Sequence, residues 1–248
     1  MSKDTCLFCD NKPKSGEHVI PQWILDKLPR TKITGFIGRH KNVGVYELVV
    51  NSVCKDCNSQ WMSNLETLNI PIMGPLIDDQ PMFLDRPQQT SIARWAVKTA
   101  MVMDSITIDP GRPLFFTDAE RQLMRDSQTL PVRTLVWLGR YLRIGLTVAS
   151  GMCYYAPPGG ARYPAFLATF VLGSLAIQIL TFRAPADYRD RTISLTPAKG
   201  AWNELLCTIW PSPMRLYWPP ILAFDDKMIP IRSLHARWEL GTERKIWQ

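Results

Sequence analysis

The chain has 248 residues, 46% of them hydrophobic and 21% charged, with a formal net charge of +7 and a pI of about 9.2. These values exclude a disordered or low-complexity polymer and allow one large domain, or a small domain joined to a larger one. The positive balance favours polyanionic partners, nucleic acid first, but no single basic run carries it: residues 1–68 hold nine Lys/Arg against seven Asp/Glu, and the rest hold twenty against fifteen.

The N-terminus, Met1-Ser2-Lys3-Asp4-Thr5, lacks the apolar stretch of a secretory signal, so a cytoplasmic location is expected. In a reducing compartment paired cysteines more often hold metal than form disulfides. Cys6-x-x-Cys9 and Cys54-x-x-Cys57 are two such pairs, separated by forty-four residues. Each places two thiolates on a tight knuckle, and two knuckles complete the tetrahedral four-thiolate site that Zn²⁺ prefers. A redox dithiol would use one such pair, between a strand and a helix. Four thiolates leave zinc no open position, so its role is structural.

Between the knuckles, Thr31 to Val50 reads as a hairpin. Gly35, Gly38 and Gly44 break it, and Val43, Val45, Leu48, Val49 and Val50 supply strand character. From Asn58 to Leu68 the pattern turns helical, with Trp61, Leu65 and Leu68 at spacings of four and three. Residues 69–90 contain Pro71, Pro75, Pro81 and Pro87 and predict an irregular connector. Ser91 to Ser105 predicts a helix whose apolar stripe is Ile92, Trp95, Ala96, Ala100 and Met103, with Lys98 off the stripe. Thr117 to Ser127 predicts a second helix, opened by a Thr117–Glu120 capping box.

Beyond residue 130 strands prevail: Arg133–Tyr141, Ile144–Tyr154, Ala165–Phe182, Thr192–Leu195 and Leu206–Trp210, joined by Pro and Gly as in an antiparallel sheet. Tyr163 to Phe182 is uncharged and long enough to span a membrane. Its β-branched and aromatic content, with Gly173-Ser174 near the middle, instead predicts two buried strands of a hairpin. No membrane partner is expected. Cys153 and Cys207 read as ordinary buried cysteines, and Trp61 and Trp95 as core.

Glu17-His18-Val19-Ile20-Pro21 lies between the knuckles, and Asn58 directly follows the second. With the stretches CLFCD, EHVIPQWI and VCKDCNSQWMSNLE, the chain resembles the HNH endonuclease family. These are ββα-metal nucleases, often carried on a treble-clef zinc scaffold. The match runs from Cys6 to about Glu66. The implied fold is α+β: a zinc-bound ββα module over residues 1–68, then a mixed helix and antiparallel-sheet domain over residues 69–248.

The implied function is hydrolysis of DNA phosphodiester bonds. By the resemblance His18 is the general base, and Glu17 and Asn58 are ligands of a divalent catalytic metal. Mg²⁺ or Mn²⁺ suits such hard donors. Two positions depart from the family pattern. Val49 stands where a middle Asn is usual, and Asn51, on the same strand face, is the substitute. Met62 stands where a further His is common, and Glu66 lies one turn on. Adjacent Glu17 and His18 point to opposite faces of a strand unless it is bent.

Arg39 and Lys41, at the expected hairpin tip beside His40, either touch phosphate or sit in a solvated loop. Bland roles stand beside these: a core histidine for His18, a surface acid for Glu17, an N-cap for Asn58. A homodimer or larger complex fits the family. The alternatives are an inactive zinc module that binds nucleic acid or a protein, and an activity lodged in residues 69–248. That second part has only scattered acids and a solitary His235.

Overall fold

The computed structural model describes residues 5–13, 15–29, 34–37, 40–44, 48–106, 113–142, 145–155, 161–184, 205–211 and 215–225, with backbone alone at 34–37, 40–44 and 155. Arg39, His235 and the strand expected at 192–195 lie outside the described residues, as do the side chains of His40 and Lys41.

The N-terminal part contains β1 (Ser15–His18), α1 (Gln22–Leu25), the hairpin strands β2 (Thr34–Ile37) and β3 (His40–Gly44), and β4 (Val49–Val53). The hairpin expected within 31–50 is β2–β3, and β4 leaves it to pair antiparallel with β1. A helical run follows: α2 (Lys55–Cys57), a π-helical turn (Asn58–Met62) and α3 (Ser63–Ile77).

The structure corrects the expectation of a connector at 69–90, because α3 continues through Pro71 and Pro75. A proline inside a helix frees the carbonyl four residues back. The freed carbonyls belong to Thr67 and Pro71, both exposed, where water can satisfy them. The other face buries Leu65, Asn69, Ile72, Met73 and Leu76, and that burial outweighs the lost bonds. The boundary expected at residue 68 therefore falls inside a helix. The part that carries the four cysteines and the rest share one buried apolar cluster, and Arg121 Nε donates to Leu7 O across that boundary at 2.8 Å.

β5 (Met82–Leu84) leads into α4 (Arg86–Ser105), which starts five residues earlier than expected. Asp85 and Gln88 form a reciprocal capping box, and Pro87 sits in the first turn where no N–H is needed. Lys98 is a second correction. It lies off the apolar stripe, yet it is 1% exposed. One side of α4 packs on the large sheet, and α3 and β4 cover another. α5 (Asp118–Ser127) starts at the expected Thr117–Glu120 box.

The large sheet is antiparallel in the order β10-β6-β9-β8-β7: β6 (Thr134–Tyr141), β7 (Leu146–Tyr155), β8 (Tyr163–Leu172), β9 (Leu175–Phe182) and β10 (Leu206–Trp210). β12 (Ala223–Phe224) adds a short parallel partner to β6, and β11 (Leu216–Trp218) pairs with β5. β8 and β9 are the expected hairpin. Both its faces are buried, which is why the run is apolar throughout rather than alternating. Its polar residues bond across strands: Gln178 Nε2 donates to Thr169 Oγ1 at 3.0 Å, and the Thr134 and Thr181 hydroxyls meet at 2.8 Å. Among the described residues no helix is long and apolar enough to cross a membrane.

The β8–β9 turn rests on the end of α3. Gly173 has φ +62°, and an added Cβ would lie 2.6 Å from Ile77 O. Gly173→Ala is therefore expected to cost about 2–3 kcal/mol. A lowered urea midpoint with unchanged slope is the check, and an unaltered midpoint would show that the turn gives way freely.

Candidate functional site

The zinc expectation has a geometric test. In a tetrahedron with Zn–S bonds of about 2.3 Å the sulfurs lie about 3.8 Å apart. Cys9 Sγ stands 3.6 Å from Cys54 Sγ and 3.7 Å from Cys57 Sγ, and all four sulfurs lie within 4.8 Å of one another. These separations are far too long for a disulfide, and all six cysteines are free thiols. Backbone N–H groups point at the sulfurs: Cys54 N at 3.2 Å and Phe8 N at 3.5 Å from Cys6 Sγ, and Cys57 N at 3.4 Å from Cys54 Sγ. Such donors favour the thiolate, the form that binds metal. Burial pushes the Cys9 and Cys57 thiols above their usual range. Burial works against Cys54 too, but the Cys57 N–H and the adjoining thiols hold it below that range. The four residues fit a zinc ion, and among the described residues they are the only cluster of three or more His, Cys, Asp or Glu side chains with metal-ligating geometry.

The two knuckles are locked to the β1–β4 pair. Leu7 N donates to Ser52 O at 2.7 Å, and Cys54 follows β4 directly. Phe8 packs edge-on against Trp61 with ring centroids 5.0 Å apart. Trp95 is wholly buried, edge-on to Phe170. Both tryptophans are packing residues, as expected.

Cross-strand partners share a sheet face. Glu17 pairs with Val50, and both are buried; His18 pairs with Val49, which is exposed and shares its face with exposed Asn51. A bulge between Ser15 and Glu17 bends β1 but leaves this division intact. At that bulge a Cβ on Gly16 would meet Val49 Cγ1 at 3.0 Å. His18 and Asn51 thus lie on one face, and Glu17 on the other. His18 is half-buried, and its Nδ1 is covered without a hydrogen-bond partner. Asn58 opens the π-helical turn, with its N–H bonded to Cys54 O at 3.1 Å and its Nδ2 donating to Ser15 Oγ at 3.4 Å.

Glu17 is 5% exposed, and its Oε1 stands 3.7 Å from Lys98 Nζ. The same Nζ donates to Glu66 Oε1 at 3.0 Å. Burial pushes the Glu17 carboxyl up to about 7; Lys98 pulls it down and Glu66 pushes it up. Glu17, expected to hold a divalent catalytic metal, does not fit one as it stands, because an ammonium already serves its carboxylate. Asn58 bonds Ser15 through its Nδ2, and that bond does not engage its amide oxygen. The partner of Glu17 is not legible in the sequence: Lys98 is one of three cations in α4, with Arg86 and Arg94, and only its place among Val97, Thr99 and Ala100 marks it.

No family model, no curated protein and no solved structure matches the chain in comparisons with known proteins.

Proposed function

We propose that the chain is a zinc-supported nuclease of the HNH type that hydrolyses DNA phosphodiester bonds, with His18 as general base. The reading rests on one observation: His18 ends a strand whose partner carries Asn51 on the same face, and the cysteine knuckles brace this pair and lead directly into the helical run that carries Asn58. Imidazole is the side chain best suited to take a proton from an attacking water near neutral pH. Asn51, beside it on the sheet face, orients. The net positive charge agrees with a nucleic-acid substrate. The test is nicking of supercoiled plasmid by the zinc-loaded chain with Mg²⁺ or Mn²⁺ added. His18→Ala should lower the rate by about 10²–10⁴-fold with zinc content and far-UV circular dichroism unchanged. Equal nicking by the variant rules His18 out.

A second reading has its own support. The inward Glu17, held by Lys98, suits a zinc module that binds nucleic acid or a protein without cleaving. It predicts salt-sensitive DNA binding or none, and no nicking by either chain with either metal.

A further inference from the structure

The buried Glu17–Lys98–Glu66 cluster is unexplained by the zinc site and unused by His18. Its members come from three elements: Glu17 from β1, Glu66 from α3 and Lys98 from α4. Lys98 is 1% exposed, so its charge has left bulk water altogether. An ammonium at such depth persists only when carboxylates surround it. Here two do, at 3.0 and 3.7 Å, and the Trp95 ring centroid lies 6.0 Å from the same nitrogen. The Glu66 side chain is 22% exposed, so the cluster reaches solvent on the α3 side alone.

Two carboxylates converging on one cation make a hard-oxygen site of the kind that Mg²⁺ or Mn²⁺ uses. We infer that Lys98 Nζ is the built-in cation of this site: it fills the place a divalent metal would take between Glu17 and Glu66, and a metal enters only when Lys98 is removed. Lys98 is thereby a positioning residue. Its ammonium holds β1 against α3 and α4 from beneath, and so sets the strand that carries His18. The inference concerns cation occupancy and stands whether or not the chain cleaves DNA.

The experiment is Mn²⁺ titration of the zinc-loaded, full-length chain, followed by electron paramagnetic resonance of the free ion and by thermal unfolding. The wild-type chain is expected to bind no Mn²⁺ that Glu17→Gln removes. Lys98→Ala, which leaves room for a hydrated ion, should gain one Mn²⁺, with affinity raised about tenfold or more. That gain should vanish in Glu17→Gln/Lys98→Ala. Because a ligand that binds only the native state stabilises it, Mn²⁺ should also raise the melting temperature of Lys98→Ala, which keeps the test decisive if that variant folds poorly. A wild-type Mn²⁺ site lost on Glu17→Gln overturns the inference. So does a Lys98→Ala chain that neither gains Mn²⁺ nor is stabilised by it. None of these readouts depends on nicking, so a failed nuclease assay leaves them intact.

Discussion

Lys98→Met should destabilise the protein by about 3–5 kcal/mol at alkaline pH, and by clearly less in acid. The Met side chain fills most of the volume, so the loss is of charge rather than of packing. It leaves the Glu17 carboxylate at 5% exposure with no cation, beside a second acid. Protonation is its only relief, which sets the direction with pH. In the wild-type chain burial raises the Glu17 carboxyl from 4.5 to about 7. A raised carboxyl binds its proton more tightly when folded. Its contribution is fully present below 4.5 and is lost as the pH rises through about 7. Across that window Glu17 should lower wild-type stability by up to about 1.4 kcal/mol per pH unit. Glu17→Gln should flatten the slope. Lys98→Met removes the charge that pulls the carboxyl down, so its decline should reach higher pH. Glu17→Gln/Lys98→Met should recover much of the lost stability, and the double-mutant cycle gives the coupling. Urea unfolding on either side of the window is the measurement. A Lys98→Met chain as stable as wild type at alkaline pH would mean that the pair does not hold the fold.

Loss of zinc should have a larger effect. The wild-type chain is expected to carry one zinc ion, and Cys57→Ser should lose it and more than about 4–5 kcal/mol of stability. Damage should spread past the knuckles, because Leu7 O accepts from Arg121 and Phe8 packs on Trp61 within the shared apolar cluster. Affinity should fall with falling pH, since each bound thiol must release its proton, and burial makes Cys9 and Cys57 hold theirs. Cys153→Ser should keep the metal. Metal analysis and thermal unfolding with and without chelator are the checks. A Cys57→Ser chain that retains stoichiometric zinc would remove that cysteine from the ligand set.

What could be read from residue order is what depends on near neighbours. Cys-x-x-Cys spacing predicts paired thiols on one knuckle because a knuckle spans only four residues. The Thr117–Glu120 box and the Gly173-Ser174 turn are likewise local hydrogen-bond and dihedral preferences, and all three stand in the fold. The Asp85–Gln88 box was equally local, but the prolines around it obscured it. Proline propensity at 71 and 75 failed for the opposite reason, because burial along one face of α3 decided the matter.

The cysteine pairs and the Thr117–Glu120 box were determined by sequence alone, and so, once β1 is a strand, was the opposite facing of Glu17 and His18, since period-two geometry fixes it. Only the tertiary structure decided which of the two faces is covered. That choice came from α3 and α4, distant in sequence, bringing Glu66 and Lys98 beneath β1. Desolvation then made a charged partner for Glu17 necessary, and the fold supplies it from within the chain.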